Sequence, residues 1–225
     1  MGEDSAPPER APLGRLPSGR HGLPRNLVST NHRERLIAAC AQTVPERGYG
    51  CTTVADIIKA AAVSRRTFYE YFDGKEACFL ATYDLVISHL RERMTAAFEA
   101  EAEWPASVRA ALAAMLGFFA EEPALARICL VEPLAAGPPI AEHHRQTIES
   151  FTPFLEAGRE PGRPGDPPPD TEAAVVAGMA MLITGRVVAG EADRLQELLP
   201  GLLETALAPF LGAAEAERIG RQSPR

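Results

Sequence analysis

The chain has 225 residues and a formal net charge of −7, long enough to bury about 70% of its unfolded surface without disulfide or metal staples. Aromatic residues make up 6% and no β-branched alternation is sustained, which sets aside sandwich and barrel folds and points to an all-α chain. The negative sum argues against a nucleic-acid partner until its distribution is read: residues 1–76 carry +2 and residues 77–225 carry −9, so a phosphate backbone would be met by the first part and repelled by the second.

Residues 1–29 are rich in Pro, Gly and Arg and read as a flexible basic arm. From Arg10 to Arg35 six arginines face one acid, Glu34. Such an arm can follow a DNA backbone or enter a minor groove, with Arg20 and Arg25 as candidate contacts; a solvated tail without a role accounts for the composition as well. The start, MGEDSAPPER, lacks the apolar run of a secretory signal, and the longest uncharged apolar run, Ala173 to Gly185, is too short to span a bilayer. The expectation is a soluble, cytoplasmic protein with no membrane partner. Cys40, Cys51, Cys78 and Cys129 have no Cys-x-x-Cys spacing and read as reduced thiols.

A DNA-binding unit is expected over residues 30–76. Asn31 opens a first helix, with Glu34 as capping partner and Leu36, Ile37, Cys40 and Val44 as its apolar stripe. Pro45 predicts a kink or an early end, because proline removes an N–H and clashes with the carbonyl of Ala41. Gly48 and Gly50 release the chain toward Thr53, whose hydroxyl can cap a second helix while Asp56 bonds back in a capping box. Val54, Ile57, Ile58 and Ala61 give that short helix one apolar face, and Lys59 points the other way. Ser64 then caps a third helix in which Phe68 and Phe72 share a buried face, while Arg65, Arg66 and Tyr69 are presented on the other. Guanidinium groups at the start of an exposed short helix suit guanine O6/N7 or phosphate oxygens, the geometry of a recognition helix in a major groove. Arg65, Arg66, Thr67 and Tyr69 are the candidate base and phosphate contacts, with Thr53, Ser64, Tyr71 and Lys75 as backbone anchors. Lys75 opposes the dipole of the helix it opens, a conflict a phosphate would relieve. Glu70 should point away from the backbone or accept from cytosine N4.

One long helix from Lys75 to about Ala102 keeps its period through Phe79, Tyr83, Val86, Leu90, Met94 and Phe98 and would link head to body. Further helices are expected over Trp104 to Phe119, Ala124 to Leu134, and from Pro138 through His143, Thr147 and Phe151 to Leu155. Ala157 to Asp170, with five prolines and three glycines, is a long loop. Thr171 to about Gly190 and Ala192 to Leu211 form a last pair, followed by a polar tail over residues 213–225. Gly178 and Met181, with Ala174 and Gly185, would permit close helix approach; Leu195, Leu199, Leu202, Leu203, Ala206 and Phe210 form the second stripe. Two such pairs, one per subunit, would close a four-helix homodimer interface, unless both pack only inside one chain.

No Gly-x-Ser-x-Gly, phosphate loop, dinucleotide fingerprint or zinc-protease pair is present, so neither an enzyme nor a cofactor is expected. His143 and His144 point about 100° apart on a helix and have no locally spaced third ligand, so no metal site is expected.

The stretch ERGYGCTTVADIIKAAAVSRRTFYEYFDGKEACFLATY, within residues 31–83, resembles the tetracycline-repressor (TetR) family of transcriptional regulators. A helix-turn-helix, an aromatic Phe-Tyr-x-Tyr-Phe segment and a Lys opening the fourth helix are the features that carry it, and LQELLPGLLETALAPFLG resembles the family's last helix more weakly. The resemblance implies an all-helical homodimeric repressor: a three-helix head on double-stranded operator DNA, and a C-terminal body over residues 77–212 that binds a small-molecule effector and thereby releases DNA. Pocket candidates are residues of mixed character on the middle helices: Met115, Phe118, Phe119, Glu132, His143, Thr147, Phe151, Met179 and Thr184. The alternative is an all-helical small-molecule carrier or accessory protein whose helix-turn-helix is incidental.

Overall fold

The computed structural model describes residues 32–159 and 167–221, and among these there are helices and turns but no strand. The arm, with Arg20, Arg25 and Asn31, lies outside the described residues. Helix α1, His32–Arg47, buries Leu36, Ile37, Cys40 and Val44, the face its sequence stripe marks. It does not end early at Pro45. That proline stands in the final turn, so it withholds a helical donor from one carbonyl only, that of Ala41, and the bond that follows, Gly48 N–H to Val44 O at 2.8 Å, still closes.

Helices α2, Val54–Ala61, and α3, Arg65–Tyr71, follow, and α4, Lys75–Glu99, runs from this head into the body. One core gathers α1, Ile57, Phe68 and Phe72 with Cys78, Phe79 and Tyr83 of α4, Ile128 and Ile140. The head therefore does not finish at Glu76: two turns of α4 and one side chain each from two body helices complete it.

The body is built from α5, Trp104–Glu121, α6, Pro123–Leu130, α7, Glu132–Ala135, α8, Pro138–Glu149, α9, Pro153–Glu156, α10, Thr171–Val188, α11, Leu199–Leu211, and α12, Ala213–Gly220. Three expected helices are each divided by a proline. Pro133 cannot donate to Cys129, Pro153 cannot donate to Glu149, and Pro200 cannot donate to Gln196, so α6 yields to α7, α8 to α9, and a 3-10 turn over Ala192–Leu198 precedes α11. The expected polar tail is instead helix α12. Gly212, at φ 85°, turns the chain back, and Ala216 and Gly220 are buried against the body. Small residues supply that contact, which is why the segment reads as polar in sequence.

Arg159 and Glu172 pair across the ends of the segment 160–166, and Arg159 also donates to the carbonyls of Pro167 and Pro168 at 2.9 and 3.0 Å. Against this corner Trp104 Nε1 donates to Phe154 O at 3.0 Å, and a Cβ on Gly158 would fall 2.2 Å from the indole ring. Only glycine fits there.

Candidate nucleic-acid interface and ligand cavity

The head is held by bonds among its own groups. Thr53 Oγ1 accepts from Asp56 N–H at 3.2 Å and the Asp56 carboxylate accepts from Thr53 N–H at 2.9 Å, the capping box the sequence calls for. The Thr53 hydroxyl also donates to Asp56, and these bonds hold the Asp56 carboxyl below its usual range. Thr53 is thus a cap whose hydroxyl is engaged inside the head. Helix α2 ends in Ala62, left-handed at φ 50°, with Val63 N–H reaching back to Ile58 O and Ala62 N–H to Lys59 O. Arg35 of α1 donates to the carbonyls of Ala61 and Ala62 at 2.6 and 2.9 Å, adding a cation at the negative end of α2.

Ser64 Oγ accepts from Thr67 N–H at 3.0 Å and lies 2.8 Å from the Thr67 hydroxyl, fixing the start of α3. Phe68 and Phe72 are buried, so the opposite side is presented: the Arg66 side chain is 91% exposed, and Tyr69 and Tyr71 are 47% and 43% exposed. Arg65 lies over the Tyr69 ring at 5.5 Å, and Arg66 Nε donates to Glu70 Oε1 at 3.1 Å. Glu70 thereby steadies Arg66 one turn before it. Ser64, Arg65, Arg66, Thr67, Tyr69 and Tyr71 come together on one small helix, Thr67 half-buried.

Lys75 departs from the expected phosphate anchor. Its ammonium donates to Tyr49 O at 2.7 Å and sits 4.0 Å from the centre of the Tyr49 ring, so the chain's own carbonyl and π-face relieve the dipole conflict. Tyr49 is the joint of the molecule. Its N–H donates to Glu132 Oε2 at 2.7 Å, and its ring packs edge-on against Phe79 at 5.0 Å. Glu132, buried, also accepts from Arg127 at 2.8 Å. A pocket role was expected for Glu132; the structure uses it to tie the α1–α2 loop to the body, a pairing 83 residues apart that no local pattern reveals.

Beneath the head lies a partly open cavity of about 90 Å³, lined by α4, α5, α6, α8, α9 and α10. Met115, Phe119, Thr147, Phe151 and Met179 line it, as their mixed character suggests. Phe118, Glu132, His143 and Thr184 do not. Phe118 turns toward Arg93, His143 Nε2 meets Asp84 at 2.6 Å, and Thr184 donates to Ala180 O at 2.7 Å within its own helix. Their places among the lining are taken by residues the sequence reading passed over, among them Tyr83, Leu90, Met94, His144, Phe154 and Ile183. Tyr83 Oη and His144 Nδ1 lie 2.9 Å apart and satisfy each other. Burial and the neighbouring His143 push the His144 imidazole down to about 4, so it is neutral at pH 7, and burial pushes the Tyr83 phenol up. The lining carries no charged side chain.

The candidate dimer residues divide in two. Leu195, Leu202, Leu203, Ala206 and Phe210 are buried in their own chain's core, and Leu199 is half-buried against it, because the stripe of α11 faces the body. Gly178 and Met181 face outward on α10, with Met181 72%, Leu182 55% and Val188 62% exposed. By length and composition α10 would suffice to cross a bilayer, with a mean hydropathy of 1.4, yet 28% of it is buried in this chain. Among the described residues no group of three His, Cys, Asp or Glu is placed to hold a metal.

Known proteins match both the head and the whole. The description "Bacterial regulatory proteins, tetR family" fits residues 36–82. The HTH-type transcriptional regulator EthR of Mycolicibacterium smegmatis is 30% identical over 166 residues, which cover 71% of this chain and 75% of that protein. Among solved structures, the fatty acid degradation regulator FadR of Bacillus halodurans superposes with a TM-score of 0.69 at 17% identity, over 80% of this chain and 96% of that one. The transcriptional regulator FadR of Bacillus subtilis, in complex with stearoyl-CoA, gives 0.68 at 19% identity, over 80% and 98%.

Proposed function

The chain belongs to the tetR family of bacterial regulatory proteins and is a DNA-binding transcriptional regulator; from that premise we propose that it is a cytoplasmic homodimeric repressor released from a palindromic operator by an apolar small molecule. Each subunit lays α3 in a major groove, with Arg65, Arg66, Thr67 and Tyr69 toward base edges and phosphates and Ser64 and Tyr71 toward the backbone. In this reading the head extends past Glu76 through Tyr83, and the body takes in α12 beyond residue 212.

The observation that carries this reading is the double use of α4. Its first two turns complete the head's core through Cys78, Phe79 and Tyr83, and its next turns line the cavity through Tyr83, Ile87, Leu90 and Met94. A cavity of about 90 Å³ is small beside the roughly 300–1,000 Å³ of ordinary ligand sites, so an occupant must displace its walls. Displacing α4 or α6 displaces the head, directly through Tyr83 and through the Arg127–Glu132–Tyr49 chain. The stearoyl-CoA held by the Bacillus subtilis neighbour supports an acyl chain as the class of occupant.

The exposed face of α10 supports the homodimer. Ala174, Gly178, Met181, Gly185 and Val188 recur at helical spacing, and a Cβ added at Gly178 or Gly185 would meet nothing within 4 Å in the monomer. A second copy would cover this face and bring the two heads to a fixed spacing.

Purified protein should bind duplex DNA from upstream of its own coding region as two subunits, resist nonspecific competitor, and weaken steeply with salt. A long-chain acyl compound should release it. A protein that binds such compounds but no duplex, including duplexes from random-sequence selection, would be a carrier instead.

A further inference from the structure

A second depression lies beside the cavity, a shallow groove of about 240 Å³ lined by Arg91, Thr95, Phe98, Ser150, Pro153 and Phe154. The two are neighbours on the same helix. Ile87, Leu90 and Met94 of α4 face the cavity, whereas Arg91, Thr95 and Phe98, the adjoining stripe, face the groove. Phe154 lines both, and Phe151, which lines the cavity, carries the Arg91 guanidinium 4.3 Å over its ring. Phe151 and Phe154 are stacked, 6.3 Å apart at 18°, and form the partition.

Arg91 is the sole charged side chain lining either space. It is oriented by neutral partners alone, donating to Ser150 O at 3.0 Å and Ser150 Oγ at 2.5 Å. Among the described residues no carboxylate forms an ion pair with it, whereas Arg93, two residues on along α4, pairs with Glu121, and Arg145 of α8 pairs with Glu142 and Glu149. A guanidinium has five N–H donors in a planar fork, so three remain uncommitted. An oriented, half-buried cation without an anion, backed by an aromatic ring, is the arrangement that recognises a carboxylate or phosphate. The cavity does not suit that anion itself, since its polar groups are the mutually bonded Tyr83 and His144 and one threonine, and an unpaired charge buried there would be left without a partner.

We propose that the effector is a single-chain amphiphile with an anionic head: its alkyl chain fills the cavity between α4, α5 and α10, and Arg91 binds the head in the groove, with Phe151 and Phe154 parting to let the chain through. This rests on the apolar-effector reading above and adds the head-group chemistry and the residue that reads it. The anion can be a fatty-acid carboxylate or the phosphates of an acyl thioester, and the two differ in how far the head extends past Arg91.

The test is calorimetric titration of the full-length protein with hexadecanoate, hexadecanoyl-CoA and the uncharged hexadecanol, each below its micellar concentration. At least one anionic ligand should bind roughly ten-fold or more tightly than the alcohol, as expected for a charge-assisted contact. Arg91→Gln should remove that preference while leaving hexadecanol affinity within about two-fold, and Arg91→Lys should keep part of it. Which anion wins identifies the source of the head. Equal affinity for all three ligands on the unaltered protein overturns the proposal while the apolar-effector reading stands, and this arm does not depend on any variant folding. Binding of none of the three overturns both.

Discussion

The head and the body solve opposite problems with the same kind of element. In the head, a capping box, a left-handed helix end, an arginine on two carbonyls and a lysine on a third bind the backbone's loose ends. Its arginines and tyrosines on α3 point outward. The body instead keeps an apolar space against its core, between buried residues such as Leu90, Phe119 and Met179 and half-buried ones such as Met115, Thr147 and Phe151. A reading device needs preorganised donors, and a sensor needs a wall that can move. The two meet at Tyr49, Glu132 and Tyr83.

The sharpest way to break that comparison is to cut the joint. Glu132→Ala leaves the buried Tyr49 N–H without its acceptor and frees a partly exposed Arg127, and should cost about 2–3 kcal/mol in denaturant unfolding; Glu132→Gln, which keeps an acceptor for Tyr49, should cost less. A loss under about 1 kcal/mol for the alanine variant would mean that head and body are not coupled there.

The cavity's neutrality sets a pH dependence. The folded pKa of His144 is depressed to about 4 from an ordinary value near 6.5, so between those values the unfolded chain binds a proton that the folded chain refuses. Stability is full above about pH 6.5 and falls as the pH drops toward 4, by on the order of 1–3 kcal/mol. Thermal melts at pH 7.5 and 5 should show the loss, and His144→Gln should flatten it. An unchanged slope in that variant would place the titration elsewhere.

On the reading face, Arg66→Ala should weaken operator binding by roughly 1–3 kcal/mol if it makes a bidentate base contact, without altering the melting temperature, since its exposed pair with Glu70 contributes little. Equal losses on operator and scrambled duplex would reassign Arg66 to phosphate. The smallest effect concerns the turn between α2 and α3. Ala62 holds φ 50°, where glycine carries no Cβ penalty, so Ala62→Gly should stabilise the head by up to about 1 kcal/mol in chemical denaturation. A destabilised variant would show that unfolded-state entropy outweighs the strain.

The reading head was largely legible in the sequence because its determinants are local. Thr53 with Asp56, Ser64 with Thr67, and the i, i+4 spacing of Phe68 and Phe72 each specify geometry within one or two turns. The bond of Lys75 to Tyr49 was not legible because that partner lies 26 residues earlier. The cavity was half legible. Apolar periodicity says that Met115, Phe119, Phe151 and Met179 turn inward, but the same periodicity holds for Phe118 and Leu203, which fill the core rather than line the space.

By itself, then, the sequence determined the all-helical class, the caps of α2 and α3, the presented face of α3 and the resemblance to the family, since all of these rest on patterns a few residues long. Tertiary structure alone decided that Glu132 ties the head to the body, that α11 spends its leucines inside its own chain while α10 leaves Met181 and Gly178 outside, and that an unpaired Arg91 borders an uncharged cavity. Those outcomes depend on how whole helices pack across dozens of residues of separation, and side-chain direction at that range is set by the assembled core, not by neighbours in the chain.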